Sequence, residues 1–397
     1  PAKPNQAGAG RAPSWPGLSD PVDTTLPRPP EDLSGETPGL PPDMSGSAGA
    51  APWEPASRFP PGRVWTDGGG CRYLIGPSLY PWPDAGSHEV NLAIKIPETD
   101  PPPTLNVDAL PTICIAIKRL PDGRSPEEDI AKLLPAVGWV DGDYWVSPYR
   151  PRTDLERFLG QLQRQQMVLP YRIAASWGAD LAQKLHELHV AGMAHNDAKA
   201  RNVVVNGPTE FGSCVIPSVD SHRAVSWIDF GSASRIGQGP AVGTPRWQAP
   251  ELISGQDPIS SAAGDVFGVS AILFFIITGE RVNDVVDRTV NPHVKPWPEW
   301  SAMYREAWKS RLPGLLVDTP DRLKSAILGG LNPDADARPS AAVLSRRLED
   351  LLGDKQMKNE FAVKARCDYE PNGYGPEVVE TLRVLGYAIN RKGSNYA

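Results

Sequence analysis

The most informative part of the sequence is HNDAKARN, residues 195–202, which runs directly into three valines. It brings an acid, Asp197, a cation, Lys199, and an amide, Asn202, into one short loop. Buried polar groups need partners, so this density of polar side chains does not suit an apolar pocket. It suits a site for phosphates and a divalent metal, where a carboxylate can take a proton and an ammonium can balance phosphate charge. A polar surface loop is the competing interpretation, because a single short motif decides little.

Composition narrows the class of protein. The 397 residues suffice for one large domain or for two ordinary domains with tails. A formal net charge of −7 and the lack of a run of Lys or Arg argue against a nucleic-acid partner. The cysteines are scattered without a CxxC pair, which argues against a disulfide framework or a zinc site and favours a reducing, cytoplasmic compartment. The chain begins at Pro1, so a targeting segment that delivers the protein elsewhere could have been removed.

The prolines are unevenly placed and mark the ends of the folded part. Residues 1–60 are rich in Pro, Gly, Ala and Ser and have no apolar periodicity, which predicts a flexible extension. Because tryptophans are uncommon in inert linkers, docking of Trp15, Leu18 or Trp53 onto the folded part as a regulatory strap is the alternative. Residues 353–397 begin polar and contain one helix candidate, Pro376–Tyr387.

Short β-type runs separated by Pro and Gly occupy residues 61–148. Arg72–Gly76, Glu89–Ile96 and Thr112–Leu120 predict three strands. A helix should follow, because Ser125 is a suitable N-cap and precedes a proline and several acids. Two more strands should flank the turn Asp141-Gly142-Asp143. The prediction is therefore a small α+β unit with five strands and one helix.

The chain becomes helical over residues 149–352. A short helix is predicted at Asp154–Leu162, and a long one after Pro170, where apolar residues recur at steps of three and four. The most apolar run is Val266–Thr278, which is shorter than the roughly 20 residues of a membrane span. We expect it to form a buried core helix and we expect no membrane span. A last helix should lie near Ser340–Leu352.

Several motifs in order resemble those of the protein kinase superfamily over residues 71–352. HNDAKARN resembles the catalytic loop, and Asp229-Phe230-Gly231 the metal-binding DFG motif. Residues 243–251, GTPRWQAPE, resemble the end of an activation segment, and Asp265 begins a segment like the central helix of the large lobe. Arg338-Pro339-Ser340 resembles a motif near the end of the domain. The resemblance implies an α+β, bilobal fold with a small lobe over 61–148 and a larger, mostly helical lobe over 149–352.

The resemblance also implies roles for single residues. Asp197 would accept or orient the proton of the acceptor hydroxyl, and Lys199 would lie against the γ-phosphoryl group of ATP. Asn202 and Asp229 would hold Mg²⁺, so ATP and Mg²⁺ are the expected cofactors. Glu251 and Arg338 would form a buried ion pair, and Asp265 would brace the catalytic loop.

The lysine that anchors ATP in this family lies in an AxK strand motif, and this chain has two such motifs. They end at Lys95 and Lys118. We favour Lys118, because the helix that should present a partner glutamate follows it. Glu127 and Glu128 are both candidates for that partner, and Glu128 is assigned to the nucleotide site with Lys118, Asn202 and Asp229.

The glycine-rich phosphate loop GxGxxG is missing from the sequence. The corresponding turn, Pro77–His88, is rich in proline, which hinders the close backbone approach that phosphate binding needs. Gly68-Gly69-Gly70 is a candidate substitute or a linker. The sequence thus leaves open whether phosphates are held in the usual way.

Asn196 stands where many family members carry an arginine that pairs with a phosphorylated activation loop. Without that cation a phosphate gains less, so phosphorylation of Ser232, Ser234 or Thr244 should not be required for activity. Lys199 and Thr244 favour a Ser/Thr acceptor, although ARN before the valines looks more like the tyrosine-specific pattern.

Three functions follow from these patterns. The expected one is a kinase acting on protein substrates. A pseudokinase or scaffold with weakened nucleotide binding, and a small-molecule phosphotransferase, are the alternatives.

Overall fold

The computed structural model describes residues 63–78, 90–98, 105–106, 113–120, 125–134, 137–149, 154–164, 169–205, 225–238, 241, 243–254, 259–287, 299–353 and 389–390. All of them belong to one unit of the chain, Phe59–Ala397. Three sequence predictions lie outside the described residues: the extension over residues 1–60, the helix candidate Pro376–Tyr387 and most of the loop Pro77–His88.

Strands dominate the described residues before 150. They pair in the order β1-β2-β3-β5-β7-β6 into a six-stranded sheet in which every neighbour is antiparallel. The central strands β3 and β5 are buried, since Leu92, Ala93 and Ile117 have no solvent-exposed surface. The elements are β1 (Val64–Thr66), β2 (Arg72–Ser78), β3 (Val90–Lys95), β4 (Leu105–Asn106), β5 (Cys114–Arg119), helix α1 (Pro126–Leu133), β6 (Trp139–Asp141) and β7 (Tyr144–Pro148).

The prediction of five strands was wrong by one, because β1 precedes the first run identified in the sequence. Its three residues are too few to display an alternating pattern, but they pair with β2 through a turn at Gly68-Gly69-Gly70. Asp67 closes that turn by accepting a hydrogen bond from the Cys71 amide at 2.8 Å. Trp65 packs against Tyr144, with ring centroids 6.1 Å apart, so the sheet curls and brings its first strand towards β7.

Helix α1 begins as the sequence predicts. Ser125 is the N-cap, its side chain accepts from the Glu127 amide, and Glu128 reaches back to the Ser125 amide at 3.4 Å. This is a reciprocal capping box, which satisfies two backbone donors that the first turn would otherwise leave without partners. The box also determines which way the two glutamates face, a point on which the site depends.

Helices dominate the described residues after 150, as the sequence predicts. Short strand pairs lie among them, β8 with β11 and β9 with β10. The elements are α2 (Leu155–Arg164), α3 (Tyr171–Val190), β8 (Met193–Ala194), a 3₁₀ turn (Ala200–Asn202), β9 (Val203–Val205), β10 (Val225–Trp227), β11 (Ser234–Arg235), α4 (Pro250–Ser254), α5 (Ala262–Thr278), α6 (Val282–Val286), α7 (Trp300–Lys309), α8 (Arg311–Leu315), α9 (Asp321–Gly330), a 3₁₀ turn (Ala335–Ala337), α10 (Ala341–Leu352) and β12 (Ile389–Asn390), which pairs with β4.

Helix α5 is the core helix of this region. Residues 265–276 are all buried, which explains why this run is apolar without a polar face. Ser261 caps its N-terminus, and Gly279 ends it in the left-handed conformation at φ +73°. No helix among the described residues is long and apolar enough to cross a membrane.

Two glycines let the core helices approach each other and the loop at residue 195. A Cβ on Gly178 of α3 would lie 2.7 Å from Leu273 of α5, and a Cβ on Gly268 would lie 2.5 Å from that of Ala198. Such distances are shorter than carbon atoms tolerate. The path of the loop is therefore fixed against α5.

Glu251 and Arg338 form the expected ion pair. The guanidinium donates from Nη1 to Oε1 at 2.7 Å and from Nη2 to Oε2 at 2.8 Å, a bidentate geometry. The side chain of Arg338 has no exposed surface, whereas that of Glu251 is 33% exposed. The pair joins α4 to the segment before α10, and its buried member is the arginine.

Removal of the Glu251 carboxylate should therefore destabilise the protein. Glu251→Ala leaves a fully buried charge without its partner, which typically costs about 3–5 kcal/mol. Arg338→Ala should also destabilise it, because it removes the bonds that the guanidinium donates to the carbonyls of Asn332 and Ala263. Urea denaturation measures both, with Glu306→Ala on the exposed face of α7 as control. Equal losses for Glu251→Ala and the control would contradict this role.

Candidate active site

Asp265 of α5 fixes the backbone of the loop that contains Asp197. Its Oδ2 accepts from the His195 amide at 2.7 Å, and its Oδ1 accepts from the Asn196 amide at 2.8 Å. His189 Nε2 lies 2.9 Å from Oδ2. The carboxylate is 1% exposed, so these bonds operate away from water. Asp265 thus braces the loop, as expected from the sequence.

Asp197 lies where several hydrogen-bond donors converge. Its Oδ1 accepts from the backbone amide of Thr244 at 3.0 Å and from the Thr244 hydroxyl at 2.9 Å. Its Oδ2 accepts from Lys199 Nζ at 2.6 Å and from Asn202 Nδ2 at 2.9 Å. These donors hold the carboxylate in one orientation. The structure therefore brings Asp197, Lys199 and Asn202 together.

The amide of Asn202 has a defined orientation. Its Nδ2 donates both to the Asp197 carboxylate and to the Asp197 carbonyl oxygen, each at 2.9 Å. Both partners are acceptors, so the nitrogen must face Asp197 and the amide oxygen must face away from it. An amide oxygen in that position is a suitable ligand for a hard cation such as Mg²⁺.

Lys118 connects the sheet to the segment after β10. Its Nζ lies 2.9 Å from Glu127 Oε1 and 3.1 Å from Asp229 Oδ1, and its side chain is 10% exposed. Lys95, the other AxK lysine, lies on β3 and pairs with Glu98 at 3.0 Å. Of the two lysines, Lys118 is the one next to the DFG motif.

The carboxylate against Lys118 belongs to Glu127 and not to Glu128, which the sequence analysis assigned to the nucleotide site. Glu128 instead closes the capping box of α1 with Ser125. Neighbouring residues on a helix point about 100° apart, so one of them faces the sheet when the other faces the cap. The spacing Ser125-x-x-Glu128 is a capping-box signature, and that signal could have identified Glu127 as the partner.

Opposite charges keep Lys118 and Asp229 ionised. Burial alone would lower the pKa of Lys118, but the carboxylates of Asp229 and Glu127 raise it above its ordinary value. Partial removal from water would raise the pKa of Asp229, whose side chain is 51% exposed, but the Lys118 ammonium lowers it below its ordinary value. Both groups therefore carry their charges at neutral pH.

Asn196 and Thr244 make more contacts at the site than the sequence predicts. Asn196 adopts φ +63°, a left-handed conformation that asparagine tolerates, and its Nδ2 donates to the Ser232 carbonyl and to Ser234 Oγ, each at 2.9 Å. Thr244, considered above as an acceptor-specificity marker and a phosphorylation site, contacts Asp197 and also accepts from Lys199 Nζ at 2.8 Å. Their positions in the sequence did not reveal these contacts.

No group of three or more His, Cys, Asp or Glu side chains is arranged to hold a metal ion in the part of the chain that the structure describes. Magnesium usually takes one or two carboxylates and completes its shell with water and substrate phosphates. The half-exposed carboxylate of Asp229 and the amide oxygen of Asn202 are ligands of that type.

The family of the chain follows from comparison with known proteins. Residues 128–347, more than half of the chain, match the protein kinase domain. The chain belongs to the protein kinase domain family. The match begins in α1, so Lys118 and the strands before it lie outside the matched residues.

Individual relatives include kinases from bacteria and animals. The chain is 29% identical over 206 residues to the serine/threonine-protein kinase PkaB of Streptomyces coelicolor, which is 48% of this chain and 42% of that protein. It is 28% identical to the serine/threonine-protein kinase AfsK of the same organism, over 54% of this chain and 22% of the relative. It is 25% identical to the human dual specificity testis-specific protein kinase 2, over 51% and 32%. The match thus spans less than half of each relative.

Replacement of Asp265 by asparagine should loosen the loop at residues 195–202. An amide has one acceptor oxygen, so at least one of the two backbone N–H groups at residues 195 and 196 would face a donor. A buried donor without a partner costs about 1–3 kcal/mol. Hydrogen exchange of these two amides and urea denaturation would detect the change, with the exposed Asp350→Asn as control. Wild-type protection of both amides in Asp265→Asn would rule out this role.

Proposed function

We propose that this protein transfers the γ-phosphoryl group of ATP to Ser or Thr hydroxyls of protein substrates, with Mg²⁺. The observation that carries the proposal is the set of contacts of Asp197. Two donors from Thr244, an ammonium and an amide all converge on this carboxylate, which lies on the loop with the kinase-like motif. Membership of the protein kinase family supports phosphoryl transfer to proteins in general.

The side chains have the chemistry that this reaction needs. Mg-ATP would supply the transferable phosphoryl group, and the divalent ion would neutralise its oxygens. Asp197 can accept and orient the proton of an acceptor hydroxyl, because fixed donors hold its carboxylate in one position. Lys199, at 2.6 Å from Asp197, is placed to balance negative charge beside the acceptor.

The nucleotide would be anchored by the residues around Lys118. Glu127 holds the ammonium from the side of α1 and Asp229 holds it from the side of the DFG motif. An ammonium fixed in this way can contact phosphate oxygens without first becoming ordered, which lowers the entropic cost of binding. Asp229 and Asn202 would hold the metal ion.

The preference for Ser/Thr rests on Thr244 and Lys199, which contact each other and Asp197. In the family pattern that the chain resembles, a lysine at position 199 together with a threonine at position 244 favours a Ser/Thr acceptor. PkaB and AfsK are named serine/threonine-protein kinases, which supports the same preference.

A nucleotide-binding scaffold is the second candidate function. It is favoured by the missing GxGxxG motif in the sequence of residues 77–88. The Lys118–Glu127 ion pair favours a catalyst over a scaffold, because it holds the ammonium that would anchor the nucleotide. Transfer to small alcohols is disfavoured by the protein kinase match over residues 128–347.

The two AxK lysines provide a matched test of the proposed site. Lys118→Met should lower phosphoryl transfer by about 100-fold or more and weaken Mg-ATP binding, because it removes the ammonium that would anchor the nucleotide phosphates. Lys95→Met should leave both close to wild type, since Lys95 pairs with Glu98 near the surface. Radiolabel transfer to Ser/Thr protein substrates and thermal shift with Mg-ATP measure the two effects. The reverse ranking would overturn the assignment of Lys118.

Activity without activation-loop phosphorylation is the second part of the proposal. The amide of Asn196 already holds the segment after the DFG motif through Ser232 and Ser234, using neutral hydrogen bonds. Strand β11 adds backbone bonds between that segment and β8. These contacts order the segment after the DFG motif without the added charge of a phosphate–arginine pair.

Protein treated with phosphatase should therefore remain active. Asn196→Gly retains the left-handed backbone but removes both hydrogen bonds, and we expect roughly tenfold lower kcat/KM, since each net hydrogen bond contributes about 0.5–1.5 kcal/mol. Asn196→Ala adds backbone strain and should lose more. Phosphate content is checked by mass spectrometry. An inert phosphatase-treated protein that regains activity only when its loop is phosphorylated would refute this part.

A further inference from the structure

Next to the catalytic loop, five charged side chains form a chain of ion pairs. Glu156 of α2 contacts Arg201 at 3.4 Å and also contacts Arg281. Arg281 contacts Asp284 of α6 at 3.3 Å, and Asp284 contacts Arg246 at 3.5 Å. Three guanidiniums and two carboxylates make the network net positive.

The charged side chains of this network differ in how far they are exposed to solvent. The carboxylate side chains of Glu156 and Asp284 are only 16% and 15% exposed, and Arg281 between them is 27% exposed. The arginines at the two ends are far more accessible, with Arg201 at 63% and Arg246 at 41%. The network therefore presents positive charge to solvent and keeps its negative charge underneath.

Arg281 holds the network together. It contacts both carboxylates, and its guanidinium also lies 6.0 Å from the ring centroids of Trp247 and Phe275. Arg201 and Arg246 instead contact the acids through one nitrogen each, at distances long for charge-assisted hydrogen bonds. Packing of this region rests on Arg281, and the two end arginines retain donors for a ligand.

Both exposed arginines belong to the segments that form the candidate active site. Arg201 immediately precedes Asn202, and Arg246 lies two residues after Thr244, whose hydroxyl contacts Asp197. A polypeptide that brings a hydroxyl to Asp197 must pass over these segments. Its residues near the acceptor would then lie within reach of the two guanidiniums.

We propose that Arg201 and Arg246 bind carboxylate side chains next to the acceptor residue, so that the protein selects acidic polypeptides as substrates. This inference rests on the proposed phosphoryl transfer. Carboxylates match the planar donor fork of arginine. The formal net charge of the chain is −7, so the selection is local and not a consequence of the overall charge.

The test uses the full chain and two peptides that differ only in three residues near one serine, which are Glu in the first and Gln in the second. With Mg-ATP, we expect wild type to phosphorylate the Glu peptide with roughly tenfold higher kcat/KM. Arg201→Gln and Arg246→Gln should each reduce that preference roughly two- to fivefold, the range of an exposed ion pair. Added salt should also reduce it, because exposed charges are screened within about 8 Å at physiological ionic strength.

Three controls separate charge from structure. Arg346→Gln removes an exposed guanidinium from α10 and should change nothing. The double Arg→Lys variant keeps both charges and should retain most of the preference. In the Arg→Gln variants the Gln peptide should lose far less rate than the Glu peptide, and thermal denaturation checks that the variants fold.

Equal rates of wild type with both peptides would overturn the inference. So would equal losses in the Arg→Gln and Arg→Lys double variants, or a matching loss with the Gln peptide, since each indicates a structural role. If no peptide or protein is phosphorylated, the proposed function fails, and the inference is then judged from binding. Fluorescence anisotropy should show tighter binding of the Glu peptide that Arg201→Gln/Arg246→Gln abolishes, and equal binding of both peptides would reject it.

Discussion

The candidate site depends on one buried carboxylate. Asp265 accepts two backbone N–H groups of the loop at residue 195, and it does so from the most apolar helix of the protein. A charge at this depth is tolerated because backbone and imidazole donors surround it. The close approach of Gly268 to Ala198 holds the same loop against α5 about one turn further along the helix. The positions of Asp197, Lys199 and Asn202 follow from this anchoring, since they are the next residues along the loop.

A second contact joins the sheet to this anchored loop region. Lys118 leaves β5 and meets both Glu127 of α1 and Asp229 of the DFG motif. Removal of any one of the three would leave a mostly buried charge only partly compensated, so α1 and the DFG motif are coupled through the lysine. The same contact holds the ammonium where a nucleotide phosphate would need it. The ion pairs of Lys118 therefore stabilise the structure and also fit its proposed role in nucleotide binding.

The sequence predicted most of the elements and the order of the motifs, because caps, apolar periodicity and turn residues are local signals. It missed β1, since three residues cannot show an alternating pattern and their pairing with β2 is not encoded locally. It favoured Glu128 over Glu127, although the capping box that faces Glu128 towards Ser125 was legible in the sequence. It could not reveal the contacts of Thr244 or the different exposures of the charged side chains around Arg281. Both arise between segments that are distant along the chain.

The placement of cations distinguishes this chain from the family pattern that it resembles. Position 196, where that pattern has an arginine, carries a neutral amide that holds the DFG segment through hydrogen bonds alone. Two exposed guanidiniums of the ion-pair network lie at positions 201 and 246, above carboxylates that are mostly buried. A cation beneath the activation segment would respond to a phosphate on the protein itself, whereas cations beside Asn202 and Thr244 would respond to charge on an incoming polypeptide. If both proposals hold, the arginines would respond to the charge of the substrate and not to the charge of the activation loop.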